Sequence, residues 1–145
     1  MIPRLFIDSS VLFAASYSTR GHSHDLVLMG TRREIKFVLS GYVLEEARRN
    51  LASLKQPKDV KLEQIVANVA IEIVEVSRDE VQQAERLVVP KDAPIIAAAK
   101  AARVDMLVSL DKKHILGRPE LADYIGAAIL SPKEAIEHIR GYDKL

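Results

Sequence analysis

Three short apolar runs in this chain each lead to a carboxylate near their C-terminal end: Leu5-Phe6-Ile7-Asp8, Phe37-Val38-Leu39-Ser40 followed by Glu46, and Met106-Leu107-Val108-Ser109-Leu110-Asp111. Runs of this length, separated by stretches of helical periodicity, read as the buried strands of a parallel sheet. In an open parallel sheet the C-terminal strand ends share one edge and ligands bind in the crevice beyond it, so acids far apart in sequence converge there. Asp92, which opens an alanine-rich helix just before the third run, supplies a fourth. Four crowded carboxylates repel and raise one another's pKa unless a divalent cation neutralises them. The pattern points to hard-cation chemistry on phosphate.

The intervening segments agree with that sheet. Ser9 and Ser10 offer capping hydroxyls to a helix through Val11–Ala15, the polar stretch Ser16–Ser23 reads as a loop, and Asp25–Gly30 as a short helix closed by glycine. Glu34–Leu39 is the second strand. A helix carrying Val43, Leu44, Ala47, Leu51 and Leu54 at helical spacing follows, with both Glu45 and Glu46 early in it. Gln56-Pro57-Lys58-Asp59 breaks the pattern before a helix with Val60, Leu62, Ile65, Val66 and Val69, and Ile71–Val76 is a third strand. Ser77 and Asp79 can cap a helix from about Glu80 to Leu87. The small side chains of Ile95-Ile96-Ala97-Ala98-Ala99 then let the next helix pack closely and hold Asp92 at the sheet edge. Met106–Ser109 is a central strand and Ala127–Leu130 the last. Ser131-Pro132 with Glu134 starts a terminal helix through Ile139. Alternating strands and helices predict a three-layer α/β/α fold with a mostly parallel sheet, in one domain over residues 1–145.

Composition narrows the chemistry. With no cysteine, disulfides, thiolate nucleophiles and Cys-ligated zinc are excluded, and any metal must be held by Asp, Glu or His. No apolar run approaches the roughly 20 residues that span a bilayer, and Met1-Ile-Pro-Arg runs straight into the first strand, so a cytoplasmic protein is expected. The net charge of +1 gives no global signature of nucleic-acid binding, so phosphate contact must rest on local groups. Arg48 and Arg49, Lys112 and Lys113 with Arg118, and Arg32 and Arg33 are those groups, the first two sets adjoining candidate acids.

Mg²⁺ and Mn²⁺ take oxygen ligands in octahedral geometry, and four acids suit one or two such ions. Two ions about 3.5–4 Å apart supply an activated water and neutralise the leaving oxygen in an in-line phosphodiester displacement. Ser10 and Ser109, each two residues from an acid, can bond a water or phosphate. Each acid also has a simpler structural role open to it: Asp8, Asp92 and Asp111 as caps, and Glu46 as a surface partner of Arg49 or Asn50. His22-Ser23-His24 falls in the polar loop, with no Cys or distant His at a recognisable ligand spacing. His114, close behind Asp111, reads as a packing histidine that could touch phosphate or a water.

The ordered set Leu-Phe-Ile-Asp8-Ser-Ser10, Leu39-Ser40-Gly-Tyr-Val-Leu-Glu-Glu46, Asp92-Ala-Pro-Ile-Ile-Ala-Ala-Ala99 and Leu107-Val-Ser109-Leu-Asp111 resembles the PIN domain family over roughly the whole chain. The resemblance implies an α/β/α fold and a Mg²⁺- or Mn²⁺-dependent ribonuclease whose catalytic and metal-binding residues are Asp8, Glu46, Asp92 and Asp111. The six-residue interval from Ser40 to Glu46 selects Glu46 over Glu45. Ser10 and Ser109 stand as supporting residues, and Arg48, Arg49, Lys112 and Lys113 as substrate contacts. Two positions depart from the family pattern: Ser10 where Asn is frequent, and Lys113 where many toxin members carry a further Asp that would help hold a second ion.

The resemblance also implies RNA as substrate, frequent service as the toxin of a VapC-type toxin–antitoxin pair with an antitoxin partner, and a homodimer. A non-catalytic PIN-fold module that binds RNA or protein is the main alternative, and the presence of all four acids argues against it. A phosphohydrolase with an aspartyl nucleophile would need a second Asp close to Asp8, which Asp8-Ser-Ser10 lacks.

Overall fold

The computed structural model describes residues 1–142, which form one five-stranded sheet and eight helices. The order along the chain is β1 (Arg4–Ile7), α1 (Ser9–Tyr17), α2 (His22–Thr31), β2 (Lys36–Ser40), α3 (Gly41–Ala52), α4 (Asp59–Asn68), β3 (Ile71–Val74), α5 (Arg78–Ala84), α6 (Ala93–Ala102), β4 (Met106–Val108), α7 (Pro119–Ile125), β5 (Ala128–Leu130) and α8 (Pro132–Tyr142). All strands are parallel, in the spatial order β3-β2-β1-β4-β5. The order reverses between β1 and β4, and that is where a parallel sheet opens a crevice at its C-terminal edge.

The three central strands are buried on both faces, as their continuous apolar sequences require: Leu5, Phe6, Ile7, Val38, Leu39, Leu107 and Val108 are inaccessible to solvent. Helices α1 to α4 pack among themselves on one face, where α8 joins α2, while α5, α6 and α7 pack together on the other. This is the three-layer α/β/α arrangement. In α6, Ala93, Ile95, Ile96, Ala97, Ala98 and Ala99 are all buried, so alanine permits close approach to β2 and β3. Gly30 meets a similar demand in α2, since a Cβ there would lie 2.6 Å from Val69 Cγ1 and 3.2 Å from the Phe37 ring.

Capping at α8 follows the sequence, while α5 starts earlier than expected, at Arg78, and Ser77 pairs with Glu80 rather than Asp79. Ser77 and Glu80 form a reciprocal capping box, and Ser131 and Glu134 bond each other's backbone amides at 3.0 and 3.2 Å. Two further segments differ from expectation. The stretch read as a loop over Ser16–Ser23 is short, because Gly21 at φ 99° turns the chain directly into α2, so His22-Ser23-His24 is a first helical turn. Residues two apart on a helix do not face each other, and His22 and His24 therefore cannot converge on one ion. Helix α7 has too short an apolar period to stand out in the sequence, although Pro119 at its start and Gly126 at φ 74° at its end are start and stop signals. Among the described residues no helix is long and apolar enough to cross a membrane.

Candidate active site

Asp8 follows the last residue of β1, and its backbone N–H still bonds the Val108 carbonyl of β4 at 3.0 Å. Its side chain is buried and hydrogen-bonded at both oxygens. Oδ1 accepts the Ser9 amide at 2.7 Å, while Oδ2 accepts the hydroxyls of Ser109 at 2.7 Å and Ser10 at 3.0 Å. The same two hydroxyls accept the amides of Asp111 and Leu110 at 3.0 and 3.1 Å, which directs their single protons to Asp8. The two serines thus tie the end of β1 to the loop after β4. Burial pushes the Asp8 carboxyl above its ordinary pKa and Glu46 adds to this, against the lowering by Ser109, Ser10 and the Ser9 amide.

Glu46 projects from the second turn of α3, half-buried, and its Oε1 accepts the Ser9 hydroxyl. Glu45 beside it is exposed. Ser40, the N-cap of α3, fixes this register by accepting the Val43 amide at 3.2 Å. Tyr42, in the first turn, donates its hydroxyl to the Lys91 carbonyl at 2.9 Å and so holds α3 to the residue preceding Asp92. Burial raises the Tyr42 pKa, with further contributions from Glu46, Asp92 and Asp8, as expected of a phenol beside an acidic cluster. Sequence reasoning passed over Tyr42, because one tyrosine in an amphipathic helix carries no distinguishing pattern.

Asp92 is the acid whose placement secondary structure does not explain. It precedes α6, yet its backbone is αR (φ −94°, ψ −16°) and its side chain accepts no capping bond. The residue is 5% exposed and Oδ2 has no hydrogen-bond partner. A buried carboxylate oxygen without a donor is costly in the ionised form. Burial accordingly raises the Asp92 pKa, opposed by Lys91 and His114 and reinforced by Asp111 and Glu46.

Asp111 divides its oxygens. Oδ1 accepts the amides of Lys113 and His114 at 3.0 and 2.9 Å, the turn-capping role its sequence context allows. Oδ2 faces Nδ1 of His114 at 3.3 Å, and that nitrogen is 3.9 Å from Asp92 Oδ2. One potential ligand atom from each of Asp92, Asp111 and His114 lies within 4.8 Å of the others. His114 thus stands inside the cluster rather than merely packing beside it. Its position three residues after Asp111, within one turn, was the available signal.

The cationic groups fare unequally. Arg48 forms a two-bond pair with Glu63 of α4 at 2.5 and 3.2 Å. Arg118 donates to the carbonyls of Leu87 and His114 at 2.9 and 3.2 Å and to Glu120 at 2.6 Å, a clamp between the α5–α6 segment and the loop after β4. Arg49, Lys112 and Lys113 are exposed on the segments that carry Glu46 and Asp111.

The fold is an all-parallel α/β/α sheet whose order reversal carries two acidic groups, Asp8 with Glu46 joined through Ser9, and Asp92 with Asp111 and His114, the only set among the described residues whose ligand atoms lie within 4.8 Å of one another. The family model described as PIN domain matches residues 4–113, and the chain belongs to the PIN domain family. Solved structures share the fold at low identity. PAE2754 from Pyrobaculum aerophilum is 19% identical, with a TM-score of 0.65 over 97% of this chain and 98% of that one. VapBC2 from Rickettsia felis, solved bound to a DNA fragment from its promoter, is 12% identical with a TM-score of 0.64 over 88% and 98%. VapC20 of Mycobacterium tuberculosis, a toxin that cleaves the sarcin–ricin loop, is 17% identical with a TM-score of 0.53 over 75% and 91%. Among curated protein sequences none matches.

Proposed function

We propose that residues 1–145 constitute a single nuclease domain, a divalent-metal-dependent endoribonuclease that hydrolyses RNA phosphodiester bonds. The observation that carries this reading is Asp92 Oδ2: buried, ionisable, without a donor, and beside Asp111. A carboxylate left in that state fits a cation better than it fits a cap. Asp8, Glu46, Asp92 and Asp111 are the residues that would hold Mg²⁺ or Mn²⁺. When bound, the ion lowers the pKa of water and stabilises charge developing on the phosphate.

The chain's own groups do the remaining work. Ser10 and Ser109 hold Asp8 in one rotamer, and Ser9 orients Glu46 against it. Arg49, Lys112 and Lys113 border the acids and would bind the RNA backbone. Arg48 can serve only by releasing Glu63, an exposed pair that contributes little to stability. The VapBC2 and VapC20 structures support service as the toxin of a toxin–antitoxin pair, with an antitoxin as protein partner, and the proposal extends to a homodimer acting in the cytoplasm.

The test is cleavage of a labelled, mixed-sequence single-stranded RNA with Mg²⁺, Mn²⁺ or EDTA, beside Asp8→Asn and Asp111→Asn. Cleavage that requires both metal and the two acids is expected. Folded protein that leaves several RNAs intact in every metal would replace this reading with a non-catalytic RNA- or protein-binding module.

A further inference from the structure

His114 lies one residue beyond the span that matches the family model, and its ring enters the acid cluster at the side of Asp92 and Asp111. Its Nδ1 is 3.3 Å from Asp111 Oδ2 and 3.9 Å from Asp92 Oδ2. Two donor atoms bonded to one ion at about 2.1 Å stand about 3.0 Å apart at an octahedral right angle and about 3.4 Å apart at a tetrahedral one. The Nδ1–Asp111 Oδ2 separation falls in that range, the Nδ1–Asp92 Oδ2 separation is about 0.5 Å wider, and all three atoms lie within 4.8 Å of one another, so sharing an ion would draw Asp92 Oδ2 inward. Apart from the hydrogen bond between His114 Nδ1 and Asp111 Oδ2, these atoms have no hydrogen-bond partner. Asp111 spends Oδ1 on two backbone amides and keeps Oδ2 for the ring, and the buried Asp92 Oδ2 has no donor at all. The His114 backbone is also held, since Arg118 donates to its carbonyl and to that of Leu87.

We propose that His114 Nδ1, with one oxygen each from Asp92 and Asp111, completes an Asp–Asp–His site for a first-row transition ion and biases this protein toward Mn²⁺ over Mg²⁺. The inference rests on the metal-site reading above. Imidazole nitrogen is a ligand for first-row transition ions, whereas Mg²⁺ favours carboxylate and water oxygens and gains little from a nitrogen donor. A histidine among carboxylates thus acts as a selectivity element. It also offers a third donor on the side of the site where Lys113 supplies none.

Pulsed electron paramagnetic resonance of bound Mn²⁺ tests this directly, with the Kd for Mn²⁺ and for competing Mg²⁺ measured in the same samples. Wild-type protein should show ¹⁴N modulation that changes frequency on ¹⁵N-histidine labelling. His114→Gln should lose it and bind Mn²⁺ about tenfold more weakly while Mg²⁺ affinity moves less than about twofold. His114→Glu, which restores a donor as oxygen, should recover affinity and narrow the Mn²⁺/Mg²⁺ ratio. Mn²⁺ bound by wild-type protein without histidine nitrogen coupling, or an unchanged ratio in a folded His114→Gln protein, would overturn the proposal and leave the acid site standing. If His114→Gln does not fold, the isotope shift in wild-type protein decides alone. A different result, in which wild-type protein binds no Mn²⁺ or Asp92→Asn and Asp111→Asn bind it undiminished, would remove the metal site itself.

Discussion

Ser109 and Asp8 are 101 residues apart in sequence, yet the serine hydroxyl donates to Asp8 Oδ2 at 2.7 Å in a region closed to solvent. The bond welds β4 to the end of β1. It also favours the ionised carboxylate that burial disfavours. Ser109→Ala should cost about 1–3 kcal/mol of stability and push the Asp8 pKa further up. Thermal denaturation and the acid limb of the pH–activity profile measure these two effects separately.

The two neighbouring glutamates of α3 should behave differently. Glu46 is half-buried and bonded by Ser9, whereas Glu45 faces solvent. Glu46→Gln is expected to reduce RNA cleavage by about a hundredfold, while Glu45→Gln changes it less than about twofold. Equal losses measured in the same assay would shift the functional face of α3 by one residue.

Asp92 should be a stability liability in metal-free protein. Its carboxylate makes no cap and is raised in pKa by burial, so Asp92→Asn should increase the metal-free melting temperature by about 2–4 °C. Asp111→Asn, whose Oδ1 keeps its two backbone partners, should be nearly neutral. A marked loss of stability in Asp92→Asn would show that the carboxylate is structural.

The raised pKa values of Asp8 and Asp92 fix the sign of a pH effect. From about pH 4, the ordinary aspartate range, up to each raised native value, the folded chain binds more protons than the unfolded one. The contribution of these two groups to stability is thus greatest at low pH and falls as pH rises through that window. A divalent cation favours the ionised forms, so the melting-temperature increment it confers should grow with pH over the same interval. Paired melts with Mn²⁺ and with EDTA across that range measure the increment.

Gly30 offers a test of packing remote from the acids. Gly30→Ala gains helix propensity but drives a methyl group to 2.6 Å from Val69 and against Phe37, so a net loss of about 1–3 kcal/mol is expected in chemical denaturation.

Most of this architecture could be read in the sequence because its strands are continuous apolar runs and its caps are local. Leu5–Ile7, Met106–Val108 and the Ser77 and Ser131 capping boxes each carry a signal within a few residues. What escaped depended on distance. Helix α7 is only seven residues long, so its apolar period is brief and Pro119 and Gly126 were its main marks. His114 and Tyr42 are ordinary residues in sequence and acquire meaning only when α3, α6 and the loop after β4 meet. The capping role open to all three aspartates was realised by Asp8 and Asp111 and absent at Asp92, which turned on a backbone angle no sequence pattern displays.

The reversal of strand order between β1 and β4 also sets a timetable. Asp8 is made before the partner that fixes its rotamer and the acid that stands beside Asp92, which arrive only with β4 and the loop after it. A growing chain therefore holds unassembled fragments of its acid cluster until β4 is made, and the proposed metal site can form only when that strand docks.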